Sequence, residues 1–481
     1  MVLLLLLLLV VAVPAKAPAP HGREQTDALG AGDAELKAAG SAEVWSSGAR
    51  AHSNGLLAGI CEDSAGTLSG ARAGAPCPGP GGRRVQIAGA NIFDQLWLGS
   101  SGMSTCCNAT GGPATYADAR AALETAAASG IRVFRFFGAL YGDANKLWVR
   151  DPALFWSEYD RLVDDIERLG LYAVLSIGEK MWWQVANAVT PGLNETLNDE
   201  VLNRSSVAWR LKAAYVEQVV VRYRGRRGIL WWELGNELNL NVNLAASFCG
   251  GGAQCYNTAD MVQYQRDAVA IIRAQDPARP VSSGFAAGRA SAWHQEHCPD
   301  KAQQNCTSGY WGTDTKEQWL QMMGQQNDAV DIISLHSYDS DSPDSCYFDA
   351  HNCSGTFASP GGSVVAAAVE YAAATLGKPV YVGEYGGPGP TFTGPSAADQ
   401  AYPAAVLDYQ VQAAPGAGST AGGVGAAASS SAFPLSTIWA WACPSHRADM
   451  ACIWPNSTRA KEAGSNRMLK LLTTANEKMQ L

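Results

Sequence analysis

From Val85 to Cys443 the chain repeats one pattern, a short apolar run followed by a longer stretch whose apolar residues recur at helical spacing. The runs occupy 85–93 (VQIAGANIF), 131–137 (IRVFRFF), 171–178 (LYAVLSIG) and 228–236 (GILWWELGN). Four more follow at 279–284 (RPVSSG), 331–338 (DIISLHSY), 378–386 (KPVYVGEYG) and 436–443 (STIWAWAC), roughly 40–58 residues apart. Short, nearly continuous apolar runs read as strands buried on both faces. Between them, 115–130, 157–170 and 261–277 predict helices. The last should stop at Asp276-Pro277, because a residue before proline is steered out of the helical region. Eight strands alternating with helices predict an α/β fold of (β/α)8 TIM-barrel type, here with extended loops. A doubly wound open sheet is the competing arrangement. It needs a phosphate-cradling glycine turn between an early strand and its helix, and none of the Gly clusters follows a strand in that way.

The flanks and insertions differ in character. Residues 1–17 (MVLLLLLLLVVAVPAKA) read as a signal peptide: the apolar run is too short to span a bilayer, and Ala15-Lys16-Ala17 is a small-x-small cleavage site. Residues 18–80, rich in Ala, Gly and Pro, read as a poorly ordered leader that packs only around Cys61 and Cys77. The catalytic-size domain is then 81–481, with insertions expected at about 286–325 and at the Ala/Gly/Ser tract 411–432. The 12 cysteines include close neighbours that suggest local disulfides: Cys61/Cys77, Cys249/Cys255, Cys298/Cys306, Cys346/Cys353 and Cys443/Cys452. Cys106 and Cys107 are left without obvious partners. Asn-x-Ser/Thr sequons at Asn108, Asn194, Asn203, Asn305, Asn352 and Asn456 fit a glycosylated surface. These features predict a secreted protein with no membrane association once the signal is removed. A net charge of −9 argues against a nucleic-acid partner and suits a neutral substrate.

In a barrel of this kind, side chains that do chemistry stand at the C-terminal ends of the strands. Arg135 falls near the end of the second run, Asn236-Glu237 follow the fourth, and His336 and Tyr338 end the sixth. Glu384 ends the seventh, and Trp439 and Trp441 lie in the eighth. Two carboxylates on opposite walls of one pocket are what hydrolysis of a glycosidic bond requires: one protonates the leaving oxygen, the other attacks the anomeric carbon. Arg135 and Tyr338 are suited to holding a carboxylate ionised, and tryptophan faces stack on sugar C–H faces.

LGNELN (234–239) and KPVYVGEYG (378–386) resemble the paired signatures of retaining glycoside hydrolases with (β/α)8 barrels, and most closely glycoside hydrolase family 5, that of endo-β-mannanases and many endo-β-glucanases. The resemblance spans most of 85–460, with DIISLHSYD and STIWAW in the expected order. It implies Glu237 as acid/base and Glu384 as nucleophile. It implies Asn236 as the residue that binds the sugar 2-hydroxyl, Arg135 as the strand-two arginine, His336 and Tyr338 as the strand-six pair, and Trp439, or else Trp441, as the platform. The usual Asn-Glu-Pro is Asn-Glu-Leu here, and WELGNE also resembles heparanase-like hydrolases of the same clan. The family resemblance implies an endo-acting enzyme on a β-1,4-linked polysaccharide, mannan first and glucan second. The alternative from another class is a carbohydrate-binding barrel without turnover.

Other residues compete for roles. Glu233, deeper in its strand, reads as support for the barrel interior rather than as the acid. Glu179 is a candidate substrate contact or a loop ion pair, and Trp182 and Trp183 are platforms or loop packing. No histidine or carboxylate stands at linear metal-ligand spacing from His336, so neither metal nor cofactor is expected. The only partner expected is polysaccharide, and the protein is expected to act as a monomer.

Overall fold

The computed structural model describes residues 56–92, 116–138, 143–178, 181–244, 255–300, 304, 306, 309–338, 364–386, 401–413, 432–439 and 463–480. The chain divides into Met1–Arg50, outside the described residues, and a compact unit over Ala51–Leu481. Among its described residues eleven strands follow in chain order: β1 (Gly59–Glu62), β2 (Leu68–Ala71), β3 (Arg83–Val85), β4 (Ile87–Ile92), β5 (Val133–Phe137), β6 (Tyr172–Ser176), β7 (Ile229–Glu233), β8 (Val281–Ser282), β9 (Ile333–Tyr338), β10 (Val380–Gly386) and β11 (Leu435–Ile438).

Strands β4 to β11 form one parallel sheet in the order β8-β7-β6-β5-β4-β11-β10-β9. Parallel bridges Ser282–Ile332 and Ala286–His336 join its two edges, so the sheet comes nearly full circle. All eight apolar runs of the sequence are strands of this (β/α)8 barrel. Helices surround it because their sequences set both their ends and their faces. Pro152–Arg168 starts with proline in its first turn, and the Asp151 side chain accepts from Leu154 N. Thr258–Gln275 opens with a reciprocal box between Asn257 and Asp260 and ends at Asp276, where Pro277 forces it to. No helix among the described residues is long and apolar enough to cross a membrane.

Two differences from the sequence reading follow from short elements. Residues 56–85, read mostly as leader, form an antiparallel sheet in the order β2-β1-β3, stapled by the Cys61–Cys77 disulfide. Ala58, Ile60 and Leu68 pack into one buried cluster with Val133, Leu230 and Ile332 near the starts of the barrel strands, closing the end opposite the strand C-termini. A Cβ at Gly70 would overlap the Leu230 carbonyl, so β2 lies on the barrel at a distance only glycine allows. The second difference is in the 286–325 insertion. Its last third is the barrel helix Lys316–Gln326, opened by a Thr315/Gln318 capping box. The remainder holds a short helix, Ala292–Glu296, and the Cys298–Cys306 disulfide.

Cys255 is also disulfide-bonded, while Cys106, Cys107, Cys249, Cys346, Cys353, Cys443 and Cys452 lie outside the described residues. Asn194 and Asn203 are exposed, and the other sequons and residues 414–431 lie outside the described residues.

Candidate active site

Arg135 is the hub of the barrel's C-terminal mouth. It lies mid-strand in β5, side by side with Asn91 of β4, and its side chain is fully buried. Each arm of the guanidinium has a partner: Nε donates to Glu233 Oε1 at 2.7 Å, Nη1 to Glu384 Oε1 at 2.6 Å and to Asn91 Oδ1 at 3.1 Å, and Nη2 to Asn236 Oδ1 at 2.9 Å. Burial opposes its charge, but Glu233 and Glu384 outweigh that and raise its pKa further above the ordinary arginine value. The guanidinium also lies over the Phe137 ring, 4.7 Å from its centroid.

Glu233 therefore holds the arginine rather than substrate: it is fully buried, and its second oxygen accepts from Ser282 Oγ at 3.3 Å. Beyond Glu233 the chain leaves the sheet through Leu234-Gly235-Asn236. Leu234 N donates to Ser282 O at 3.0 Å and Glu237 N to Gly284 O at 2.7 Å. Gly284 has φ +71°, and a Cβ there would overlap the Gly235 carbonyl, so two strand exits run in contact. Glu237 itself takes a left-handed conformation (φ 52°, ψ 34°) at the start of the 3-10 turn Leu238–Asn241. Non-glycine residues adopt it rarely, and here it turns the Glu237 side chain back toward the mouth. Its carboxylate is 26% exposed, against 7% for Glu384.

Glu384 is aimed by an irregularity in β10. The pairing register of β10 with β9 shifts between Val382 and Glu384, as at a β-bulge, a device that redirects a side chain. At the bulge the Gly383 carbonyl accepts from Asn91 Nδ2 at 2.8 Å and from Thr437 Oγ1 at 2.6 Å. Glu384 Oε2 accepts from the Tyr338 hydroxyl at 2.5 Å, so both carboxylate oxygens have donors. Burial, and then Glu384, push the Tyr338 phenol well above its usual range, so it stays a donor.

His336 lies between the two glutamates. Its Nδ1 is 3.1 Å from Glu237 Oε1 and 3.5 Å from Glu384 Oε1. Burial lowers its pKa to about 4, opposed by the charges of Glu384 and Glu233 and reinforced by that of Arg135. Its Nε2 has no partner among the described residues, so the neutral ring carries its hydrogen on Nδ1, facing the carboxylates.

One ligand atom from each of Glu237, His336 and Glu384 lies within 4.8 Å of the others, a grouping that linear spacing could not reveal because the three come from separate strands. It suits hydrogen bonding better than a cation. Arg135 and Tyr338 already occupy the oxygens of Glu384, and a guanidinium 2.6 Å away repels a metal ion.

Six of the eight site residues read from the sequence thus meet in one network: Arg135, Asn236, Glu237, His336, Tyr338 and Glu384. Trp439 follows β11 at the same mouth, half-buried, with its ring edge-on to Phe137 at 6.2 Å. Trp441 and Glu179 lie outside the described residues. Trp182 is not a platform: it is fully buried, edge-on to Trp148 at 5.8 Å and 5.0 Å from Tyr215. Trp183 is half-buried beside it. Asn91, which the sequence did not place, ties Arg135 to the Gly383 bulge. The available signal was an amide inside an otherwise apolar strand.

Among solved structures the chain is similar to the endo-β-1,4-mannanase from Thermotoga petrophila, with TM-score 0.50 and 16% identity over 82% of this chain and 77% of that one. It is also similar to a family 5 mannosidase from Rhizomucor miehei (TM-score 0.46, 16% identity, 85% and 96% covered). An endoglucanase from Pseudomonas stutzeri gives TM-score 0.42 at 14% identity, with 80% and 93% covered. At 16% identity the likeness to the Thermotoga enzyme is one of fold. No curated protein sequence matches the chain. The family model described as cellulase (glycosyl hydrolase family 5) matches residues 86–414, well over half of the 481, from the start of β4 to the end of the helix before β11. The chain belongs to glycosyl hydrolase family 5.

Proposed function

We propose that this protein is a secreted, retaining endo-β-glycosidase that cleaves β-1,4-linked polysaccharide. The observation that carries the proposal is the approach of Glu237 and Glu384, with a ligand oxygen of each inside 4.8 Å. Retaining enzymes hold their two carboxyl groups about 5–5.5 Å apart, whereas inverting enzymes leave room for a water between them.

In the first step a Glu384 oxygen attacks the anomeric carbon, and the Glu237 carboxyl gives its proton to the departing glycosidic oxygen. A glycosyl-enzyme ester forms as the C–O bond to the leaving chain breaks. Glu237, now a carboxylate, takes a proton from water, and the hydroxide oxygen displaces Glu384 from the sugar. The geometry suits this division of labour. Glu384 is clamped at both oxygens by Arg135 and Tyr338, as a nucleophile that must not wander should be. Glu237 is the more exposed of the two and can meet both leaving group and water. Neutral His336 offers a hydrogen to Glu237 without competing for its proton.

Mannan is the first substrate to test, on the resemblance of the strand-four and strand-seven motifs to endo-β-mannanases. The Thermotoga neighbour described as a mannanase agrees with that order. β-1,4-Glucan is second, and the family model's description as cellulase favours it. Export rests on the N-terminal apolar run and on disulfides such as Cys61–Cys77, which persist in oxidising compartments. The test is hydrolysis of galactomannan, glucomannan, carboxymethyl cellulose, mixed-linkage glucan and xylan, with Glu384→Gln and Glu237→Gln alongside. Activity on one backbone that collapses in both variants, with product released in the β configuration, is expected. A folded protein that binds a polysaccharide and cuts none would replace the hydrolase with a binding module.

A further inference from the structure

The segment after β8 does more than connect. Between Gly284 and Arg289 it runs along the turn that carries Glu237 and meets it at nearly every step. Gly284 O accepts from Glu237 N. The Asn239 side chain bridges Ala286 twice, donating to its carbonyl at 2.8 Å and accepting from its amide at 3.1 Å. Arg289 then closes the far end: Nη1 donates to Leu240 O at 2.6 Å and Nη2 to Val242 O. Its Nε donates to Gln295 Oε1 at 2.8 Å, which fixes the guanidinium from the opposite side through the short helix Ala292–Glu296.

We propose that Arg289 is a positioning residue for the acid/base Glu237, acting through the 3-10 turn Leu238–Asn241. The inference rests on the glycosidase reading above. Glu237 begins this turn and Arg289 caps its end, where carbonyl oxygens carry the negative pole of the turn and lack partners of their own. A left-handed Glu237 is a strained start that a free loop would relax, so the turn must be held from outside. Arginine suits the task because its rigid fork reaches two carbonyls and a side-chain amide at once, which lysine's point charge cannot.

The consequence is specific to proton donation. A displaced Glu237 harms bond cleavage only when the departing oxygen needs a proton. Glu384, clamped separately by Arg135 and Tyr338, still attacks. The experiment compares the full-length wild type with Arg289→Met and Arg289→Lys on aryl β-glycosides of mannobiose and cellobiose whose leaving phenols span a wide range of acidity. Misplacement of a catalytic group by about 1 Å costs on the order of 10²-fold. For Arg289→Met, kcat/KM should therefore fall by about that much with weakly acidic phenols and by less than ~3-fold with dinitrophenol, which leaves unprotonated. Arg289→Lys should fall between the two. Equal losses across all leaving groups would overturn the proposal, because a general folding defect lowers every substrate alike. Circular-dichroism melting of each variant guards against that case: a variant that fails to fold is replaced by Gln295→Leu, which frees the same guanidinium from behind and should give the same leaving-group dependence, more weakly. A wild type inactive on every glycoside and polysaccharide would instead sink the glycosidase reading itself.

Discussion

Arg135 shows how one residue makes the mouth of the barrel cohere, since it donates to four side chains from three other strands and their exits. Its neighbours at strand ends were legible in the sequence because barrel geometry decides in advance where polar side chains can gather. Asn91 was not, since its role depends on the lateral register of β4 against β5 and β11, and Arg289 was not, because two of its three partners are main-chain carbonyls, which leave no trace in side-chain patterns. Tyr338→Phe removes a single hydrogen bond to Glu384, and bonds to charged groups are worth about 1.5–3 kcal/mol. We expect kcat/KM about 10–100-fold lower on the best substrate of the polysaccharide panel, with a melting temperature lower by about a few degrees. His336 makes a different prediction, about pH. Its folded pKa of about 4 lies below the ordinary 6.5, so between those values the unfolded chain binds a proton that the folded one refuses. Stability from this residue is complete above pH 6.5 and falls by about 3 kcal/mol as pH drops through 4. Denaturant titrations of wild type and His336→Asn at several pH values should differ in slope across that window. Parallel curves would show that the ring is not held neutral.

At the scale of elements, strands were easier to read than what bends them. The run KPVYVGEYG marks β10, but not that its register slips beside Glu384, because a bulge is a property of pairing and pairing is not local. Gly383 is the hinge of that slip. A Cβ there would lie 2.8 Å from His336 Nε2 and 2.9 Å from Ser334 Oγ, both packed inside the barrel. Gly383→Ala should therefore displace His336 and the Glu384 carboxylate together, at an overpacking cost of about 1–3 kcal/mol. Thermal melting would show a modest drop, while turnover should fall at least ~10²-fold, since positioning within about 1 Å is at stake. An alanine variant with full activity would mean that the bulge does not aim the Glu384 carboxylate. The helix Lys316–Gln326 was swallowed by an apparent insertion for a simpler reason. Its buried apolar face is short, Trp319, Leu320, Met322 and Met323, and ends in a buried glutamine, Gln326, and only the Thr315–Gln318 capping box announced its start.

For the whole molecule, the family match begins at Gln86, yet the fold begins earlier. The Ala/Gly/Pro-rich composition of 56–85 hid three strands of three or four residues, too short to show alternation and held by a disulfide that sequence spacing alone suggested. Their function is to close the barrel's other end. Leu57, Ile60, Leu68 and Val85 are at least nine-tenths buried, and each such side chain contributes about 1.5–3 kcal/mol when fully removed from water. Together that is comparable with the total stability of an ordinary domain, about 5–15 kcal/mol. Leu68 N also donates to the Tyr172 hydroxyl at 3.0 Å, so losing the segment would strip a buried phenol at the base of β6 of this contact. A chain cut to start at Gln86, the boundary the family match suggests, should therefore aggregate or melt far below the full protein. A chain starting at Ala51 keeps β1 to β3 and the Cys61–Cys77 staple and should fold. Size-exclusion chromatography and melting of the two truncations decide the point: a folded, active chain beginning at Gln86 would show that the barrel carries its own floor, and that the N-terminal sheet is an ornament rather than part of the core.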